Sequence, residues 1–137
     1  MANYYAQARS NYFEVKDATK FVDEMAKYPI EVITNEVDGR TLYGIMDANQ
    51  DGGGLYWDMY DEETEENIEL DWIEILANHL ADDHVAVLME VGTEKYRYLN
   101  GIAFAVNNKK EVIRISLDDI YEKAKETLGS QITTATY

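Results

Sequence analysis

The sequence predicts an α+β fold: an antiparallel sheet of about five to six strands with three helices, mainly packed on one face. Three observations carry that reading. Runs of alternating or β-rich residues are joined by short turn signals, above all Asp38-Gly39 and Asn107-Asn-Lys-Lys110. Consecutive strands joined by short turns pair antiparallel. Between and after them stand three stretches with helical spacing and plausible caps. At 137 residues, 46% hydrophobic and 12% aromatic, the chain reads as a single domain, 1–137, with enough apolar material for a core.

In order, Met1–Ser10 reads as a loose leader, polar and without the apolar run of a signal peptide. Asn11–Lys16 alternates and reads as a short strand. Asp17 is a good N-cap for a helix whose stripe is Ala18, Phe21, Val22 and Met25, and Pro29 ends it. Ile30–Val37 and Thr41–Met46 read as a hairpin. Leu55–Tyr60 reads as the third strand of that meander, with Leu55, Trp57 and Met59 facing one way and Tyr56, Asp58 and Tyr60 the other.

Asp61–Glu66 is too acidic for a core and reads as a loop or the solvated entry to the next helix. Asn67 is the expected cap of that helix, with Ile68, Trp72, Ile75, Leu76, His79 and Leu80 as its stripe. Val85–Val91, Tyr96–Val106 (interrupted near Asn100-Gly101) and Glu111–Ile115 read as strands. Ser116–Asp119 has capping-box form and opens a helix with Ile120, Ala124 and Leu128 on its buried face, stopped by Gly129. Residues 130–137 read as an edge strand or a tail.

Charge is the most informative feature. Between Thr41 and Glu94 there are fifteen acids and no Lys or Arg. The two flanks hold the other twelve acids and all twelve bases, so the whole net charge of −15 lies in the middle. Such segregation bears on partners more than on fold. Direct nucleic-acid binding is disfavoured because phosphate contacts need Lys and Arg. No apolar stretch is long enough to span a membrane, and an anionic membrane surface would repel the chain. The lack of Cys removes thiol nucleophiles and disulfides and fits a cytoplasmic location. A homodimer is compatible with the sequence.

One local motif points to a cation. Asp47, Asn49, Asp51, Gly52 and Asp58 follow the spacing of a twelve-residue calcium loop. Against it, the flanks read as strands, Gly54 stands where an aliphatic residue packs, and Asp58 is shorter than the usual bidentate Glu. Asp, Asn and Gly also make any tight turn. The competing reading is a plain acidic loop and no cofactor. His79 and His84 are five apart across a helix end, a poor spacing for a metal pair. Carboxylate pairs suitable for a hydrolase abound, but no nucleophile elbow, Walker loop or dinucleotide fingerprint accompanies them. The chain therefore reads as a non-enzyme.

The segments Ser10-Asn-Tyr-Phe-Glu-Val-Lys-Asp17 and Ile115-Ser-Leu-Asp-Asp-Ile-Tyr-Glu-Lys-Ala-Lys-Glu-Thr-Leu128, with the small size and acidity, resemble small proteins of phages and mobile elements. Among these are anti-CRISPR and antirestriction factors, several of them DNA mimics. The resemblance covers about a sixth of the chain and transfers no catalytic residue. It implies a location in the host cytoplasm. The expectation is an inhibitor that docks an acidic face on a basic nucleic-acid-binding protein or complex, such as a CRISPR effector or restriction system. Asp58, Asp61, Glu62, Glu63, Glu65, Glu66, Glu69, Asp71 and Glu74 would form the face, with Tyr56 and Tyr60 as aromatic anchors. The alternatives are a calcium-binding module on Asp47, Asn49, Asp51 and Asp58, or a small carboxylate hydrolase.

Overall fold

A computed structural model describes residues 4–48, 52–94 and 98–135. Its strands are β1 (Tyr4–Ser10), β2 (Ile30–Val37), β3 (Arg40–Asp47), β4 (Asp58–Asp61), β5 (Glu66–Glu69), β6 (Ala86–Glu94), β7 (Tyr98–Val106) and β8 (Val112–Ser116). The helices are α1 (Ala18–Met25), α2 (Trp72–His79) and α3 (Asp119–Thr127). Six strands form an antiparallel sheet in the order β2-β3-β1-β6-β7-β8, and β4 and β5 form a separate two-stranded sheet.

The β2–β3 hairpin follows from its turn. Asp38 and Gly39 take φ of 51° and 78°, the left-handed pair that a two-residue turn between right-twisted strands requires. The expected loose leader is corrected: Tyr4–Ser10 is a strand in the middle of the sheet, between β3 and β6. Ala6, Ala8 and Ser10 point inward and are buried, while Tyr5, Gln7 and Arg9 point out. Small inward residues are needed there because the loop after β3 lies directly on them. Ala6 N donates to Gly52 O, and a Cβ on Gly54 would come within 2.9 Å of the Ala6 methyl.

The seam between β1 and β3 has one registered pair, Arg9 opposite Met46. Side chains close the rest. Asp47 Oδ2 accepts from Ala8 N at 2.6 Å, and Ser10 Oγ accepts from Ile45 N at 2.8 Å while donating to Asn11 O. Asn11–Lys16, expected as a strand, instead crosses as an extended link with isolated bridges at Phe13 and Val15.

The core lies on one face, where α1 and α2 pack. Phe13, Phe21, Met25, Ile45, Trp72, Leu76, Leu80 and Ala86 are all fully buried there. Asp17 caps α1 by accepting from Lys20 N. Phe21 of α1 packs edge-on against His79 of α2, and Tyr28, in the turn after α1, against Trp72.

The last helix departs from expectation. No residue of α3 is buried; Ile120 is 60% exposed, and Leu128, just beyond its end, is 87% exposed. Of the expected Ser116–Asp119 capping box only the acid's half forms, with Asp119 Oδ2 accepting from Ser116 N at 2.7 Å; the N-cap position is Asp118, whose side chain makes no cap hydrogen bond. However, Leu117 folds over Gly101 on the sheet face opposite the core, so α3 starts away from the main apolar layer. The strand through Asn100-Gly101 runs uninterrupted, paired with β6 from Glu94 to Ala86. Residues 130–135 form no strand; Ala135 N donates to the Tyr121 hydroxyl.

Candidate functional site

The acidic segment folds as a hairpin of its own. Asp58 opposes Glu69, Met59 opposes Ile68, Tyr60 opposes Asn67 and Asp61 opposes Glu66, with Glu62–Glu65 as the turn. Two expectations are corrected here. Leu55–Tyr60 is not the third strand of the β2–β3 meander, because β1 occupies that place. Asn67 and Ile68 are strand residues, so Asn67 caps nothing. Helix α2 begins four residues later, at Trp72, with Asp71 as its N-cap accepting from Glu74 N. The sequence did hold the signal for a hairpin: Met59 and Ile68 are the only apolar pair in the run, set symmetrically about the turn.

The hairpin base is pinned to the core. Leu70 N donates to Trp57 O at 2.8 Å. The buried Trp72 indole donates through Nε1 to Tyr56 O at 2.7 Å, and Trp57 packs edge-on against Phe104. Leu55 and Leu70 are buried, and Met59 is half-buried. The expected alternation therefore holds even though the pairing differs: Tyr56, Asp58 and Tyr60 are all exposed.

This geometry sorts the expected partner-binding residues. Tyr60 (58% exposed) shares the outward side with Asp58, Asn67 and Glu69. Asp61 and Glu66 share the other side, and Asp61 Oδ1 accepts from Glu63 N at 2.9 Å, tightening the turn. Glu62, Glu63 and Glu65 are exposed at the tip, with Glu65 at φ 58°. Asp71 and Glu74 have structural duties, the first as helix cap and the second in an ion pair with Lys110 at 3.0 Å.

Both charged rungs of the hairpin are therefore acid against acid. Like charges directly opposite each other across strands destabilise the pair. Among the described residues no Lys, Arg or His forms an ion pair with Asp58, Asp61, Glu62, Glu63, Glu65, Glu66 or Glu69. Among the described residues nothing relieves this repulsion.

The fifteen central acids do not form one array. Asp47 stitches β1 to β3, as described. Glu90 lies on the inner side of β6, where its Oε1 accepts from Leu55 N at 2.8 Å. Burial there, with the nearby Asp47 charge, raises its carboxyl above the ordinary range against the lowering effect of that hydrogen bond. Asp82 holds Asn108 beyond the end of α2. Of the four expected calcium ligands, Asn49 and Asp51 lie outside the described residues. Asp47 is engaged with the Ala8 backbone, and Asp58 begins a strand of the other sheet. No cluster of metal-ligating side chains occurs among the described residues.

The two histidines act as clasps. His79 Nε2 donates to Glu24 Oε1, whose other oxygen accepts from the Tyr28 hydroxyl at 2.6 Å. Burial would raise the Glu24 carboxyl, but these two hydrogen bonds and the charges of His79 and Lys27 hold it below its usual value. The Tyr28 phenol is pushed well above its ordinary value by burial and by Glu24. His84 Nδ1 accepts from Glu14 N, so its proton sits on Nε2, 3.1 Å from the Glu14 carboxylate. Glu14 also pairs with Arg40.

No helix among the described residues is long and apolar enough to cross a membrane. Comparison of the chain with protein-family models, with curated proteins and with solved structures returns no match.

Proposed function

We propose that this chain is a non-enzymatic binding protein whose β4–β5 hairpin docks on the basic, nucleic-acid-binding surface of another protein. One observation carries the reading: the hairpin pairs Asp58 with Glu69 and Asp61 with Glu66, with no cation of the described chain set against either pair. A solubility surface gains from charge but has no use for carboxylates in register against each other. A cationic groove relieves that repulsion on contact, so the free chain's electrostatic strain becomes part of the binding energy.

The hairpin is suited to the role. Its base is locked by Trp57, Leu70 and Trp72, so little ordering is needed on docking. Its tip presents only carboxylates and Thr64. Tyr60 on the outward side offers an aromatic anchor among the charges. Duplex DNA carries about one charge per 1.7 Å of axis, and closely spaced carboxylates along a hairpin can occupy a groove shaped for phosphates.

In the sharper form of this proposal the target is a CRISPR effector or restriction complex of the host cytoplasm and the outcome is inhibition. The test is DNA cleavage by a panel of such nucleases with and without the protein. Inhibition by the wild type that disappears with Glu62→Lys, Glu63→Lys, Glu65→Lys and Glu66→Lys together supports it. Inhibition that survives the four reversals overturns it.

A further inference from the structure

The sheet has a second apolar surface. By register, the residues of β1, β6, β7 and β8 that point away from α1 and α2 form one continuous outer face. On it Met89 is 55% exposed, Val91 61%, Leu99 58%, Ile113 72% and Ile115 61%. An antiparallel sheet with one solvated face alternates apolar and polar residues. Here β7 carries apolar residues on both sides, and the outward positions of β6 and β8 are apolar apart from Thr93.

The same face is free of carboxylates. In a chain with 27 acids, no outward position on these four strands is Asp or Glu. Its one base, Arg9, is turned aside, with its guanidinium over the Tyr12 ring and its Nε donating to Ser10 O. Helix α3 extends the surface: Leu117, Ile120 and Tyr121 line a groove with Leu99 and Ile115 of about 890 Å³.

We propose that two copies of this chain associate face to face through the outer surface of β1, β6, β7 and β8, with α3 at its margin. Charge decides the occupant. A cationic partner is drawn to the hairpin, not to a face without acids. A second copy carries the same carboxylate-free strand face, and an isologous contact keeps the acids of both chains off those strands, with Asp118 and Asp119 only at the α3 margin, beside Lys123. Area agrees. Four strands at about 4.8 Å spacing, about 30 Å long in β6 and β7 and shorter in β1 and β8, project a patch of roughly 480 Å². The α3 stripe brings that towards the roughly 800 Å² per partner of a standard interface. Exposed apolar patches of this size mark interaction sites.

The test is sedimentation equilibrium of the full chain, from micromolar to hundreds of micromolar, at low and high salt. The mass should rise from 15.7 kDa towards twice that value. Association should tighten with salt, which screens the like net charges, whereas docking of the hairpin on a cation weakens with salt. Val91→Glu and Ile113→Glu place a carboxylate at exposed positions; each should keep the wild-type circular dichroism and weaken association about tenfold or more. Glu66→Lys on the hairpin should associate like the wild type. A wild-type mass of 15.7 kDa at every concentration and salt would overturn the proposal. So would Glu variants that dimerise as tightly as the wild type, or loss of the dimer on changing Glu66.

Discussion

Reversing one acid in each charged rung of the hairpin should stabilise the free protein. In Glu66→Lys/Glu69→Lys, both acid–acid rungs become acid–base rungs. Carboxylates about 6 Å apart in water repel by about 0.7 kcal/mol. Screening at physiological salt, with a Debye length of about 8 Å, halves that to roughly 0.3 kcal/mol. Reversal turns each cost into a similar gain, so the two rungs together swing by about 1.3 kcal/mol. Unfolding entropy of about 2.1 cal/mol/K per residue over 137 residues converts this to a melting temperature about 4 °C higher. The assay is thermal unfolding followed by circular dichroism at physiological salt and again near 1 M salt, where the difference should largely close. A double variant that melts at or below the wild type refutes the reasoning, because the rungs are then not opposed in this register. The same substitutions should weaken docking on a cationic groove. Opposite signs for stability and binding are the mark of charge held for a partner.

Four further outcomes follow from single contacts. Asp47→Ala orphans the Ala8 N–H at the β1–β3 seam and should cost about 1–3 kcal/mol in denaturant unfolding; Asp47→Asn, which keeps an acceptor oxygen, should cost much less. Trp72→Phe removes the indole donor to Tyr56 O and should cost about 1–3 kcal/mol, with increased hydrogen exchange in β4 and β5 as the site-specific readout. Glu90 has a raised carboxyl in the fold, so its stabilising contribution is complete below its ordinary value of 4.5 and is lost as pH rises through the raised value. Glu90→Gln should therefore melt above the wild type at pH 7, with the advantage gone near pH 4. Glu24 has the opposite sign: held low, it stabilises above 4.5 and that contribution is lost as pH falls through its lowered value. Glu24→Gln should flatten the acid limb of the stability curve.

Much of the fold was legible where local and global signals agreed. Ile30–Val37 and the Asp38-Gly39 turn are a β-rich run and a dipeptide that favours both left-handed positions, and both appear as expected. The Phe21 and Met25 stripe and the Asp17 cap likewise gave α1. Tyr4–Ser10 was misread because its inward residues are Ala, Ala and Ser, which advertise no core; their smallness serves the overlying loop at Gly52 and Gly54, a long-range constraint.

At the candidate site the acids themselves were visible, but their pairing was not. Charge density argued for a loop, while tertiary pinning by Trp57 and Trp72 holds Asp58–Asp61 and Glu66–Glu69 as strands despite the repulsion. Asp47 and Glu90 show the converse: they look like members of an acidic surface, yet they satisfy the backbone of Ala8 and Leu55. The stripe of α3 was visible too. Its lack of burial was not, since a helical period tells which residues share a side but not what lies opposite.

The most direct test of the docking account is competition with duplex DNA for the basic groove of a nuclease that the protein inhibits, measured by fluorescence anisotropy across a salt series. The account predicts that the protein displaces DNA, that its affinity falls steeply as salt rises, and that Glu66→Lys/Glu69→Lys makes that salt dependence shallower. Simultaneous binding of DNA and protein, or an affinity indifferent to salt and to those two residues, would contradict it.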